Sequence, residues 1–205
     1  MDLAKLSTRI FFDIIPKEVV NNNKDTIVYC FAHNNLNIPL MAKKISNLNY
    51  NLPNYILDNK TLMSGVSSSD EVKEIYLNYE LEFNLIPYDY SWINTKIESD
   101  VVLNWCNNNG KKNIIICAPI FHIVRAFMTM SSSLIDLNLK EKINIYSILS
   151  FIDDWNEQTI THQGRNINTF NNFIEIELKR IETYTIKGDI HHAKKIWDYI
   201  LSRSN

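Results

Sequence analysis

The chain has 205 residues, 45% of them apolar and 21% charged, which is enough to bury a sizeable core in one domain and too little for two full ones. A net charge of −2 and a pI near 6.2 supply no clustered cations, so neither nucleic acid nor a membrane surface is expected as a partner. The longest apolar run, residues 114–121, is far shorter than the ~20 residues a bilayer span needs, and three scattered cysteines without a Cys-x-x-Cys support neither a disulfide framework nor a thiolate zinc site.

The first residues, Met1-Asp2-Leu3-Ala4-Lys5-Leu6, mix charged and apolar positions and lack the continuous apolar stretch of a secretory signal, so a cytoplasmic location is expected. Leu3, Leu6, Ile10 and Ile14 recur at helical spacing until Pro16. They predict a short amphipathic helix within residues 1–15, packed on the main fold. Residues 26–32 (TIVYCFA) form a continuous β-branched and aromatic run, the pattern of a strand buried on both faces. A helix is predicted over 38–48, then a second strand within 54–63 that closes on Ser64-Gly65.

Val72, Ile75, Tyr76 and Tyr79 share one helical face, and Ser68-x-x-Glu71 is a capping-box start for that helix. A third strand is placed at 85–90. The next helix carries the stripe Ile97, Val101 and Trp105 and ends at Gly110. Residues 113–118 (NIIICA) read as the clearest strand, Pro119 opens a helix running to about residue 134, and 143–149 (INIYSIL) read as a further strand. Beyond Phe151 the alternation stops: a polar loop holding His162-Gln163-Gly164 leads to a helix over about 169–184. A final helix is started by Asp189, with Ile190, Ala193, Trp197 and Ile200 on one face.

Strands alternating with helices imply right-handed crossovers and a mostly parallel three-layer α/β sheet with helices on both faces. Residues 1–150 form the α/β domain and residues 151–205 a helical C-terminal extension folding back on it.

In open parallel sheets the ligand crevice forms at the carboxyl ends of the strands, where helix N-termini present unpaired N–H groups. The segment from Cys117 to Ala126 runs from the best strand into the following helix and carries His122 and Arg125 three positions apart, so both can face one ligand. A guanidinium fork suits a phosphate or carboxylate, and an imidazole can transfer a proton near neutral pH. The competing reading is that both are surface residues of an amphipathic helix.

Asn94, Thr95 and Glu98 occupy the mouth of the same sheet, where they can bind a ligand hydroxyl or act as general acid or base. Thr95-x-x-Glu98 is equally a capping box serving only its own helix. Ser64-Gly65 at a strand end can form a tight turn receiving an anion, or be no more than a turn. Ala32-His33-Asn34-Asn35 stands where a GxGxxG would follow the first strand, which argues against NAD. The lysine phosphate loop, the GxSxG elbow and HExxH are all absent, and adjacent His191-His192 diverge by ~100° on a helix, so no metal is expected.

Taken in order, these features form a pattern: a first strand, Ser64-Gly65 after the second, Asn94-Thr95-x-x-Glu98 opening a helix, and a strand ending in Ala118-Pro119-x-x-His122-x-x-Arg125-Ala126. Across residues 26–130 it resembles the YdcF/SanA/ElyC-like family. The resemblance implies a Rossmann-like three-layer domain and a pocket formed by Ser64, Gly65, Asn94, Thr95, Glu98, His122 and Arg125. It also implies an enzyme whose ligand is nucleotide-like or similar to S-adenosylmethionine. The tail residues His162-Gln163-Gly164, Glu177, Arg180-Ile181 and Lys187-Gly188-Asp189 resemble the tail of a subgroup. Glycines common in the family after the first strand are replaced by Ala32-His33, and Val66 stands where a second glycine is expected.

The leading expectation is an enzyme, a hydrolase or transferase acting on a small anionic, phosphorylated or nucleotide-like metabolite. In it Arg125 and the helix N-termini hold the anion, and His122 and Glu98 are the proton-transfer pair. A non-catalytic ligand-sensing or protein-interaction module is the alternative, and an S-adenosylmethionine-binding protein a further one.

Overall fold

The computed structural model describes residues 1–31, 37–48, 50–60, 67–90, 93–150, 156, 158–160 and 167–203. Five strands, β1 (Thr26–Cys30), β2 (Asn54–Leu57), β3 (Phe83–Ile86), β4 (Asn113–Ala118) and β5 (Asn144–Leu149), make one parallel sheet in the order β3-β2-β1-β4-β5. In register, Cys30 lies beside Cys117 and Ala118 beside Leu149. Every residue of β1 and β4 is buried, which is why these two strands read as unbroken apolar runs rather than as alternating ones.

Two cores flank the sheet. One joins Val28, Cys30, Ile115 and Cys117 to α3 (Ile38–Leu48) and α4 (Ser69–Leu77), with Val19 of the short α2 (Lys17–Val20) added. The other joins Ile27, Tyr29, Ile114 and Ile116 to α1 (Leu3–Phe11), α5 (Thr95–Asn108), α6 (Ile123–Asp136) and α8 (Ala193–Ser202). Alternate residues of the same strand thus serve opposite layers.

The three-layer α/β architecture is therefore present. From β1 the chain winds outward through β2 to β3, then crosses back to β4 and β5 on the other side. The connecting helices change faces at that reversal, with α3 and α4 on one side of the sheet and α5 and α6 on the other.

α6 is the central helix of its layer, and every residue from Ile123 to Leu134 is buried. The remaining C-terminal chain completes its cover. A two-stranded antiparallel ribbon, β6 (Gln158–Ile160) with β7 (Ile167–Thr169), precedes α7 (Phe170–Lys187), whose N-terminus Thr169 caps. Sequence spacing assigns the ribbon region to a loop, because three-residue strands are too short to show a period of two. Phe170 and Phe173 of α7 pack with Ile120 and Phe121 from the turn after β4, and Leu40 and Leu149 join them. The start of α7 thereby covers the carboxyl edge of the sheet.

The last helix is fastened by an ion pair. Arg203 donates from Nη2 to Asp13 Oδ1 at 2.8 Å and from Nη1 to Asp13 Oδ2 at 3.0 Å, and also to the Ile145 carbonyl. Its guanidinium lies 4.7 Å from the Tyr146 ring centroid. Among the described residues no helix is long and apolar enough to cross a membrane.

Candidate functional site

β4 ends at Ala118, and the turn at Pro119 lets His122 and Ile123 donate their backbone N–H groups to the Pro119 carbonyl at 2.8 and 3.0 Å. This turn sets His122 at the N-cap of α6, and Arg125 falls in its first turn. Because α6 is covered all round, both side chains point into the protein, 3% and 4% exposed. The surface-residue reading of this pair is therefore excluded.

Their common partner is Glu177 of α7. His122 Nδ1 lies 3.1 Å from Glu177 Oε2, Arg125 Nε donates to that same oxygen, and Arg125 Nη2 donates to Oε1 at 3.3 Å. Arg180, one turn further along α7, donates to Oε1 at 2.6 Å. Arg125 Nη1 donates to the Thr95 hydroxyl at 2.8 Å, which ties α5 into the network. The two arginines and one carboxylate leave the cluster with one positive charge in excess.

The network fixes the state of the histidine. Burial and the adjacent Arg125 charge push its pKa down to about 4, against the opposing pull of Glu177, so the ring is neutral near pH 7. Burial alone raises a carboxyl group, but Arg125 and His122 overcome this and hold Glu177 well below the usual carboxylate range. An ionised carboxylate only accepts hydrogen bonds. Nδ1 of His122 must then carry the proton, and the lone pair sits on Nε2.

Of the residues expected from sequence, Asn94 proves to be the cap of α5, its side chain accepting from the Ile97 N–H at 2.9 Å. The capping box expected of Thr95 and Glu98 thus does not form. With Asn94 capping, the Thr95 hydroxyl is available to Arg125 and the Glu98 carboxylate turns inward, 4% exposed, to accept from the Tyr29 hydroxyl at 2.6 Å. Glu98 is joined to His122 through rings: Tyr29 meets Phe31 edge-on at 5.3 Å, and Phe31 meets His122 edge-on at 5.9 Å. Ser64 and Gly65 lie outside the described residues.

Sequence motifs alone do not single out Glu177 as the hub. Its signal is positional: the buried stripe of α7 is Phe170, Phe173, Glu177 and Ile181, a helical face with one charge where a hydrophobe belongs.

The N-termini of α4, α5 and α6 are not equivalent. Ser68 and Glu71 cap α4 reciprocally and Asn94 caps α5, whereas α6 has no side-chain cap. The Pro119 carbonyl serves its N-terminus instead, accepting from the N–H groups of His122 and Ile123. Among the described residues no group of three or more His, Cys, Asp or Glu is arranged to hold a metal ion.

Fold and site together define a doubly wound α/β protein with a buried histidine–carboxylate–arginine cluster where β4 leads into the central helix of its layer. No protein-family model, curated protein or solved structure matches the chain.

Proposed function

We propose that the protein is an enzyme of the YdcF/SanA/ElyC-like kind, acting on a small anionic or nucleotide-like metabolite at the carboxyl ends of β1 and β4. The observation that carries this reading is the neutral His122 held by Glu177. A carboxylate on Nδ1–H orients the ring and stabilises the imidazolium formed when Nε2 takes a proton from a hydroxyl or water. The excess positive charge of the cluster favours a negatively charged ligand beside it.

The arginines divide their work. Arg125 uses three of its five N–H groups on Glu177 and Thr95, so it positions the carboxylate that positions His122. Arg180 is the more exposed cation, its side chain 26% accessible, and is the better placed of the two to meet an anion. Glu98, fixed by Tyr29, is the second proton-transfer group. The reaction class is hydrolysis or transfer on a phosphorylated or nucleotide-like substrate.

Thermal-shift screening of such metabolites, S-adenosylmethionine included, followed by mass spectrometry for product, tests the proposal. Turnover that is lost in His122→Asn while ligand binding persists supports it. A ligand recovered unchanged after long incubation sinks the catalytic reading in favour of a sensor.

A further inference from the structure

α1 and α7 both rest on α6. The wedge between them is a cavity of ≈ 220 Å³. Its walls are hydrocarbon: Leu3 and Phe11 from α1, Phe121 from the turn after β4, Val124 from the start of α6, Ile174 and Ile181 from α7. Among the described residues two polar side chains line it, and both are engaged elsewhere. The Ser7 hydroxyl donates to the Leu3 carbonyl at 2.8 Å, and Glu177 faces the arginines and His122. A ligand here meets no polar group in need of a partner.

We infer that this wedge is a binding site for the uncharged hydrocarbon part of a small ligand. Apolar cavities of about 150 Å³ stay dry and take up benzene. A cavity half as large again fits a fused bicyclic ring or an aliphatic chain of comparable bulk. Access is from the side where Ala4 and Leu178 line the cavity while remaining exposed, Leu178 to 38%. The inference does not depend on the catalytic reading, although Glu177 both lines this cavity and forms the hub of the His122 and Arg125 cluster.

Calorimetric titration of the full chain with indole and with 1-octanol tests the inference. Saturable one-to-one binding of either probe is expected, with the melting temperature raised by roughly 3–6 °C at ten times the dissociation constant. Ala4→Trp, at an exposed position, should plug the mouth and weaken binding at least tenfold; Leu178→Trp does the same from the opposite wall should the first variant fold poorly. Preference for indole or for octanol tells an aromatic occupant from an aliphatic one. No saturable binding of either probe, or unchanged affinity in both tryptophan variants, overturns the site.

Discussion

His122 and Glu177 stand 55 positions apart in sequence and 3.1 Å apart in the fold, Nδ1 to Oε2. Because burial and Arg125 lower the histidine to about 4 from its ordinary 6.5, the unfolded chain binds more protons than the folded one between those two pH values. Stability therefore holds above pH 6.5 and falls as pH drops toward 4, by about 3 kcal/mol for this group. Glu177, depressed by its cations, adds loss in the same direction below pH 4.5. Urea unfolding at pH 7, 5.5 and 4.5 checks this, and a flat profile that His122→Phe does not alter would contradict it.

Removing the hub carboxylate should be worse than removing the whole network. Glu177→Gln leaves a buried guanidinium without its counter-ion and is expected to cost about 3–5 kcal/mol. Pairing Glu177→Leu with Arg125→Met should recover much of that stability, since a packed apolar pair avoids burying charge altogether. A double-mutant cycle by denaturant unfolding measures the coupling; additive losses would show that the two side chains do not act as a pair.

Tyr29 and Glu98 make a second buried contact, at 2.6 Å. Deleting the hydroxyl in Tyr29→Phe keeps the ring between Phe31 and its neighbours and removes one donor from the carboxylate. A loss of about 1–3 kcal/mol is expected, read from the unfolding midpoint.

Where the last helix meets the end of α1, Arg203→Ala should cost about 1.5–3 kcal/mol, because Asp13, its side chain 1% exposed, loses a two-pronged partner and keeps only Arg9 at 2.7 Å and the Ser147 N–H at 3.1 Å. Arg203→Lys should not rescue it. An ammonium cannot reproduce the two-pronged contact with Asp13 while also lying across the Tyr146 ring. Equal stability of the lysine and arginine proteins would refute this.

How much of this is legible beforehand depends on distance along the chain. His122 and Arg125 announce themselves because they follow the clearest strand directly, and sheet topology alone directs attention to that turn. Asn94 and Thr95 illustrate a limit of local reading. Both are cap-competent neighbours, and only the extended backbone at Asn94, φ −142° and ψ 166°, decides which one caps. Choosing Thr95 hides the inward turn of Glu98, since a capping carboxylate stays at the surface.

Glu177 is harder still. No spacing rule links a residue of the tail to a strand end more than 50 positions earlier, and its acidic neighbours Glu175 and Glu182 dilute the one charge that matters. The ribbon of β6 and β7 is illegible for another reason: pairing between two segments of three residues is imposed by the surroundings, not by propensity.

The hub carboxylate is synthesised 55 positions after His122 and 52 after Arg125. When residues 122 and 125 leave the ribosome, the chain that supplies their counter-ion has yet to be made, and a lone cation in the central helix resists burial until α7 docks. Final compaction of that helix layer is thus deferred until α7 has been made, and a message cut short before codon 177 yields a polypeptide whose buried guanidinium lacks its carboxylate, a natural target for proteolytic clearance.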